Sequence, residues 1–162
     1  MKFYFLRHAT ASDNAPTDAA RELTKEGKQE ARVLAVALAK LDVKPSRIFT
    51  SPLARARQTA EIVAKVMKLS DEVELLDELK NEGDSVALLR VLRSCAQDEA
   101  VFLFGHVPSL PQHIAFLIGA KNADGFPLGK GGAACVELSA LRAGAGQLQW
   151  LLRQKQLRLI AR

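Results

Sequence analysis

Apolar and polar residues alternate along the chain in blocks that predict an α/β fold. Residues 2–6 and 100–104 are apolar toward both faces, which is typical of interior strands of a parallel sheet. Between them, apolar residues recur every three or four positions, which indicates amphipathic helices. In order, the pattern predicts a strand at 2–6, a helix at 24–41, a strand at 47–50, a helix at 53–68, an extended piece at 73–76, a helix at 85–96, a strand at 100–104, a helix at 109–118, and a hairpin of 134–138 with 147–152.

This order predicts a mostly parallel sheet with helices on both faces and an antiparallel pair late in the chain. Polar and glycine-rich segments at 10–21, 77–84 and 119–132 are expected to be loops. Ser51 and Pro52 are expected to begin a helix, the serine as N-cap and the proline at the first helical position. The last residues, 154–162, are basic and only weakly patterned.

Length and composition are those of one ordinary globular domain. The chain has 162 residues, 48% of them hydrophobic and 25% charged, without an internal repeat or a linker, so residues 1–162 are expected to form a single domain. The net charge of +5 favours acidic partners, but the low aromatic content of 6% and the lack of charge runs argue against a nucleic-acid surface.

Neither a signal peptide nor a membrane span is predicted, because the apolar segments are too short. A cytoplasmic protein is therefore expected. Cys95 falls in a helical pattern and Cys135 in a strand pattern, so both are expected to be buried hydrophobic residues in a reduced protein.

Candidate chemistry lies where strands meet helices. The first strand ends at Arg7 and His8, Arg55 follows the second strand, and His106 follows the strand at 100–104. Because the carboxyl ends of parallel strands share one edge of a sheet, these side chains are expected to lie together. Two imidazoles, guanidinium groups and helix N-termini favour an anion site suited to phosphoryl transfer, with one histidine as nucleophile.

Other interpretations of these residues are weaker. A metal site is disfavoured, because the histidines lack the close spacing of metal ligands and arginines would repel a cation. His113 is expected to be packed or exposed rather than functional, and Ser51 to be a cap rather than a nucleophile. Arg57 lies two residues beyond Arg55 on the same predicted helix and should point to another face.

The motifs together resemble those of the histidine phosphatase superfamily, also called phosphoglycerate mutase-like. The resemblance is carried by Leu6-Arg7-His8-Ala9, by residues 51–59 and by Gly105-His106. Further similarity to its phosphohistidine phosphatase SixA branch is carried by Leu23-Thr24 followed by Gly27, by Leu79 to Gly83-Asp84, and by His106-Val107-Pro108.

The resemblance implies a three-layer α/β/α sandwich and a phosphatase that needs no metal or cofactor. His8 would be the nucleophile that becomes phosphohistidine, and Arg7, Arg55 and His106 would bind the phosphoryl group. Arg21 matches an arginine near the site in the SixA branch. The implied substrate is a phosphohistidine-bearing signalling protein, without a nucleic-acid or membrane partner, and a monomer is expected.

Two departures from the family pattern bear on the substrate. Ala9 stands where relatives often have glycine, and it fits if the backbone there is not at positive φ. No clear match to the family's acidic proton donor exists; of Asp77, Glu78 and Glu82, Glu78 is put forward. Imidazole leaves readily once protonated, whereas an alkoxide needs a delivered proton, so this gap favours phosphohistidine.

The chain is also too short for the helices that cover the site in larger relatives, which favours an open site. Two alternatives stay open at this point. The first is a small-molecule phosphomonoesterase or mutase of the same superfamily. The second is a phosphoprotein-binding module without enzymatic activity.

Overall fold

A computed structural model of the chain describes residues 1–69, 72–95 and 100–162. The elements are β1 Lys2–Arg7, α1 Lys25–Lys40, β2 Arg47–Thr50, α2 Ala54–Met67, β3 Val73–Leu75, α3 Ser85–Leu92, β4 Ala100–Gly105, α4 Ser109–Ile118, β5 Ala133–Leu138, β6 Gly146–Leu152 and α5 Gln154–Ile160. Short 3₁₀ turns at Asp18–Ala20 and Asp77–Leu79 lie within two of the predicted loops.

Within the described residues, six strands form one sheet in the order β3-β2-β4-β1-β5-β6. β1, β2, β3 and β4 pair in parallel, while β5 pairs antiparallel with both β1 and β6. The predicted parallel sheet with a late antiparallel hairpin is confirmed. Residues of β1 and β4 pair in register, so that Arg7 lies opposite Gly105.

Alternate side chains of β1 enter two different cores, because successive residues of a strand point to opposite faces. Phe3 and Phe5 pack with residues of α3 and α4 on one face. Tyr4 and Leu6 pack with residues of α1, α2 and α5 on the other. The sheet is therefore the middle of three layers, and the three-layer α/β/α sandwich is confirmed.

A local signal explains where α1 begins. Thr24 caps α1 as expected, because its hydroxyl accepts a hydrogen bond from the backbone N–H of Gly27 at 3.0 Å.

Cys95 and Cys135 are both buried, as expected. The helix predicted at 85–96 ends at Leu92, and Ala96 lies outside the described residues.

Two expectations for helix starts need correction. α2 begins at Ala54 with Leu53 in the N-cap position, so Ser51 is not the cap and Pro52 is not in the helix. The weakly patterned C-terminal residues form α5, because the fully buried Leu157 joins the core beneath α1. A single buried side chain gave too little periodicity to predict that helix.

Within the described residues, no helix is both long enough and apolar enough to cross a bilayer.

Candidate active site

The sheet brings the predicted site residues together at one edge. β1 and β4 are neighbours, so His8 and His106 leave adjacent strand ends, and their ring centroids are 5.0 Å apart. β2 lies on the other side of β4 and leads into α2, which carries Arg55. His8, Arg55 and His106 are all buried. The structure therefore places these three side chains near one another, and their roles stay predictions.

His8 is held as a neutral imidazole with its lone pair on Nε2. Its Nδ1 lies 2.7 Å from the carbonyl oxygen of Ala9. A carbonyl oxygen only accepts, so Nδ1 carries the hydrogen. Burial, followed by the charges of Arg55 and Arg7, lowers the pKa of His8 to about 4, although the bond to Ala9 opposes this shift. At neutral pH the ring therefore presents an unprotonated Nε2.

Backbone contacts fix the position of His8. Its N–H donates to the carbonyl of Gly105 at 3.0 Å, and its own carbonyl accepts from the N–H of Gly131 at 3.0 Å. The N–H of Ala9 donates to the hydroxyl of Thr59 on α2 at 3.1 Å. Ala9 is not at positive φ, which meets the condition under which alanine fits this position.

The loop after Ala9 is anchored to α1. The buried carboxylate of Glu30 accepts hydrogen bonds from the N–H of Thr10 at 2.8 Å and from its hydroxyl at 3.1 Å. The carbonyl of Thr10 lies so close to Gly27 that a Cβ there would overlap it. α1 therefore forms a support on which the segment following His8 rests.

The two arginines are each tied down at one end. Nη1 of Arg7 donates to the carbonyl of Leu128 at 3.0 Å. Nη1 and Nη2 of Arg55 donate to the carbonyl and the carboxylate of Asp18 at 2.8 and 3.1 Å. Within the described residues, Nε of Arg7, Nε of Arg55 and Nδ1 of His106 are buried nitrogens without a hydrogen-bond partner. Buried polar groups are rarely left unpaired, and an oxyanion would supply the missing acceptors.

His106 is oriented by Ser51, a residue whose role the sequence did not reveal. Nε2 of His106 lies 2.9 Å from the Ser51 hydroxyl, which also accepts from the N–H of Leu53 at 3.3 Å. With that hydroxyl donating to Nε2, the hydrogen of His106 is placed on Nδ1. Burial is the main cause that lowers the pKa of His106 to about 3, and repulsion from His8, once His8 is protonated in acid, and from Arg55 adds to it.

The signal for Ser51 was its position rather than its residue type. It follows β2 directly, at the same sheet edge as the histidines. Because a Ser-Pro pair strongly favours a helix start, the sequence predicts a cap at Ser51 and not a site residue.

Arg21 reaches the site through Asp18. Its guanidinium contacts Asp13 at 2.7 Å and Asp18 at 3.2 Å, and its Nε donates to the carbonyl of Ser12 at 2.9 Å. Asp18 in turn contacts Arg55. Asp18 was not expected from the sequence, because its placement depends on the path of a loop without a repeating pattern.

Burial raises the pKa of Asp18, but hydrogen bonds from Arg21 and Arg55 outweigh it and the net pKa is lowered. Asp18 also acts on the ring of His106, where its negative charge opposes the lowering of the pKa. An ionised carboxylate therefore belongs to this site.

Glu78 lies in the 3₁₀ turn Asp77–Leu79, near the end of β4. Its carbonyl accepts a hydrogen bond from Nε2 of His113 at 3.0 Å. Within the described residues, its carboxylate makes no hydrogen bond or ion pair with another site residue. Asp77 pairs with Lys80 at 2.8 Å. A proton-donating role for Glu78 stays a prediction.

The structure agrees with two of the exclusions made from the sequence. His113 is fully buried, and its Nδ1 accepts from the hydroxyl of Ser85 at 2.7 Å, so it is a packed residue. Arg57 is half exposed and lies 3.6 Å from Glu61, whereas Arg55 is buried. The two arginines of α2 therefore face different surroundings, as expected.

A groove of about 520 Å³ adjoins the site at Arg7. Its lining is largely apolar and includes Val107, Pro108, Phe126 and Leu128. Val107 is an exposed large hydrophobic residue, and it directly follows His106. An open apolar surface therefore begins beside Arg7, next to the candidate site.

No group of three or more potential metal-ligating side chains lies together in the described part of the chain.

Comparison with known proteins agrees with this geometry. A model of the histidine phosphatase superfamily (branch 1) matches residues 3–83. An uncharacterised protein of Picosynechococcus sp. is 33% identical over 153 residues, which cover 92% of this chain and 89% of that protein. Phosphohistidine phosphatase SixA of Escherichia coli is 28% identical over 152 residues, which cover 93% and 92%. The chain belongs to the histidine phosphatase superfamily.

Solved structures extend the similarity to the fold. The protein histidine phosphatase SixA, solved in complex with tungstate, superposes with a TM-score of 0.89 at 28% identity, covering 97% of this chain and 99% of that one. A phosphoserine phosphatase of Entamoeba histolytica has a TM-score of 0.72 at 18% identity, covering 96% and 98%. The second likeness shows a shared fold only, whereas the similarity to SixA proteins spans nearly the whole chain.

Proposed function

We propose that this protein is a metal-independent phosphatase that removes the phosphoryl group from phosphohistidine on a protein, through a covalent phospho-His8 intermediate. The observation that carries the proposal is the state of His8. Its unprotonated Nε2 is presented beside three buried N–H donors that lack acceptors. A nucleophile and an oxyanion site thus coincide.

In the first step, the phosphoryl oxygens accept hydrogen bonds from Arg7, Arg55 and Nδ1 of His106. Charge spreads over these oxygens in the transition state, and donors that are already fixed in place stabilise it. Ser51 keeps the hydrogen of His106 on the nitrogen that faces the phosphoryl group.

Nε2 of His8 then attacks phosphorus and the bond to the leaving nitrogen breaks, with its electron pair remaining on that nitrogen. The carbonyl of Ala9 continues to accept the Nδ1–H of His8, which becomes more acidic in the phosphorylated ring. In the second step, water attacks phosphorus, His8 leaves as a neutral imidazole, and both protons of the water stay on the released phosphate.

Two features favour a protein substrate. The chain is similar to SixA proteins over nearly its whole length, and one of them is named for phosphohistidine phosphatase activity. The apolar groove beside Arg7 offers an open surface for the residues around a phosphorylated side chain. A pocket that selects small phosphate esters would be expected to enclose them more fully.

The test is a substrate panel with and without a chelator. Wild-type protein is expected to dephosphorylate a phosphohistidine-bearing domain faster than phosphoserine, sugar phosphates or phosphoglycerate, and a chelator should not change the rate. His8→Ala should abolish turnover and remove the acid-labile phosphoenzyme that wild-type protein forms.

Arg55 and Arg57 provide a matched pair on one helix. Arg55→Ala is expected to lower kcat about 10²–10³-fold, as removal of an oxyanion donor does. Arg57→Ala should stay close to wild type. Full turnover by His8→Ala would contradict the proposal. If the wild-type protein prefers a small phosphate ester, the same site has the activity of a small-molecule phosphomonoesterase instead.

A further inference from the structure

We propose that Asp18 receives the leaving group: its carboxylate accepts the N–H of the phosphohistidine imidazole, at the ring nitrogen that does not carry the phosphoryl group. This inference rests on the proposed function and deepens it, because it assigns the recognition of phosphohistidine, as opposed to a phosphate ester, to one residue.

The placement of Asp18 puts a carboxylate at the edge of the phosphate site. Oδ2 accepts from Nη2 of Arg55 at 3.1 Å, and Oδ1 accepts from Nη1 of Arg21 at 3.2 Å. The backbone carbonyl of Asp18 accepts from Arg55 as well, at 2.8 Å, so both residues are held in one orientation. Each carboxylate oxygen has a second lone pair and can accept one more hydrogen bond.

The difference in burial between His8 and Asp18 favours a place for Asp18 on the leaving-group side. His8 is 7% exposed and forms the floor of the site, whereas the side chain of Asp18 is 57% exposed. In an in-line displacement, the leaving atom departs opposite the nucleophile. A histidine attached to another protein enters from solvent, so its ring comes to lie on the outer side, where Asp18 is.

The chemistry of the phosphohistidine ring favours such an acceptor. If the second ring nitrogen is protonated, the P–N bond breaks with its electron pair on the leaving nitrogen, and a neutral imidazole departs. If that nitrogen is not protonated, the leaving group would be an imidazolate, which is far more basic. A carboxylate that accepts the N–H stabilises the protonated ring and therefore the productive form of the substrate.

His8, the imidazole that receives the phosphoryl group, already has an acceptor for its second ring N–H. Its second ring nitrogen donates to the carbonyl of Ala9 at 2.7 Å. The phosphoryl group thus passes between two imidazoles, and each needs an acceptor for its remaining N–H. Ala9 supplies one, and Asp18 is the acidic residue of the described chain that contacts a phosphate-site arginine.

An acid beside an anion site otherwise has an unfavourable effect, because its charge repels the bound phosphate. Arg21 and Arg55 keep Asp18 ionised, so it is an acceptor at neutral pH rather than a proton donor. The same charge disfavours substrates with an additional carboxylate near the phosphate. Asp18 therefore favours a substrate whose phosphorylated ring is protonated and positively charged, and it selects against anionic small molecules.

The test compares two substrates in two variants. Asp18→Asn keeps the shape and the backbone contact to Arg55 but removes the charge. It is expected to lower kcat/KM for a phosphohistidine-bearing domain by about 10-fold, the difference between a hydrogen bond to a charged group and one to a neutral group. Turnover of p-nitrophenyl phosphate, whose leaving group needs no protonation, should change by less than about threefold. Asp13→Asn, in the same loop and also paired with Arg21, should leave both rates unchanged.

An equal loss for both substrates would overturn the inference, because it would show that Asp18 only positions Arg55. Unchanged rates for both would overturn it as well. If wild-type protein hydrolyses p-nitrophenyl phosphate but not phosphohistidine, the proposed function itself is wrong, and this outcome is distinguishable because it appears without any substitution.

Discussion

Two buried histidines of the same site carry their hydrogens on the nitrogen that their neighbours dictate. The carbonyl of Ala9 places the hydrogen of His8 on Nδ1, which leaves Nε2 as a nucleophile. With the Ser51 hydroxyl assigned as the donor to Nε2 of His106, the hydrogen of His106 is also on Nδ1, which makes that atom a donor. Burial is the main cause that keeps both rings neutral. One hydrogen bond to each ring thus makes Nε2 of His8 a nucleophile and Nδ1 of His106 a hydrogen-bond donor.

Ser51 is therefore a positioning residue that can be tested alone. Ser51→Ala removes the partner of Nε2 in His106, so the hydrogen is no longer fixed on Nδ1. Loss of one neutral hydrogen bond is worth about 0.5–1.5 kcal/mol, and we expect kcat to fall about 2- to 10-fold with little change in KM. Steady-state kinetics with p-nitrophenyl phosphate measures this.

Ser51→Thr keeps the hydroxyl and is the control. It should retain more activity than the alanine variant, provided that circular dichroism shows both to be folded. If both variants lose activity equally, the hydroxyl is not what matters at this position.

Among the helices, α1 supports the site although it carries no candidate catalytic residue. Glu30 binds the backbone and hydroxyl of Thr10, two residues after His8. Gly27 allows the same loop to approach the helix, since a Cβ would overlap the carbonyl of Thr10. The close packing between this helix and the loop transmits the position of α1 to the nucleophile.

Gly27→Ala tests this support. Helix propensity alone predicts that the change stabilises α1 by up to about 1 kcal/mol. The overlap with Thr10 predicts the opposite, so we expect a lower Tm and lower turnover. Thermal unfolding and p-nitrophenyl phosphate kinetics measure both quantities. Gly125→Ala is a matched control, because no atom lies within 4 Å of a Cβ there, and it should be close to neutral. A higher Tm with full activity in Gly27→Ala would refute the packing argument.

At this scale the sequence predicts well wherever a pattern repeats. The apolar runs of β1 and β4 and the stripe of α1 predicted their elements, and the strand-end rule predicted that Arg55 and His106 would meet His8. Ser51 was misassigned because a serine before a proline usually caps a helix, whereas here its hydroxyl contacts His106. Asp18 and the helix built around Leu157 were missed because both depend on tertiary contacts that leave no periodic trace.

For the molecule as a whole, neutral histidines in the interior set the response to acid. The chain has three histidines, and burial is the main cause that lowers the pKa of each, to about 4 for His8 and His113 and about 3 for His106. An unfolded histidine titrates near 6.5. Between that pH and about 4, the unfolded chain binds protons that the folded chain does not, so the free energy of unfolding falls as the pH falls.

Each such histidine contributes a slope of up to about 1.4 kcal/mol per pH unit in this window. We therefore expect wild-type stability, measured by urea unfolding, to be highest near pH 7 and to fall clearly by pH 5, before most carboxylates titrate. His113→Gln keeps a donor for the carbonyl of Glu78 and removes one titrating ring outside the candidate active site. Its stability should depend less steeply on pH than that of wild type. Equal slopes would mean that His113 is not neutral in the folded protein, and a flat wild-type profile would mean that none of the three rings is.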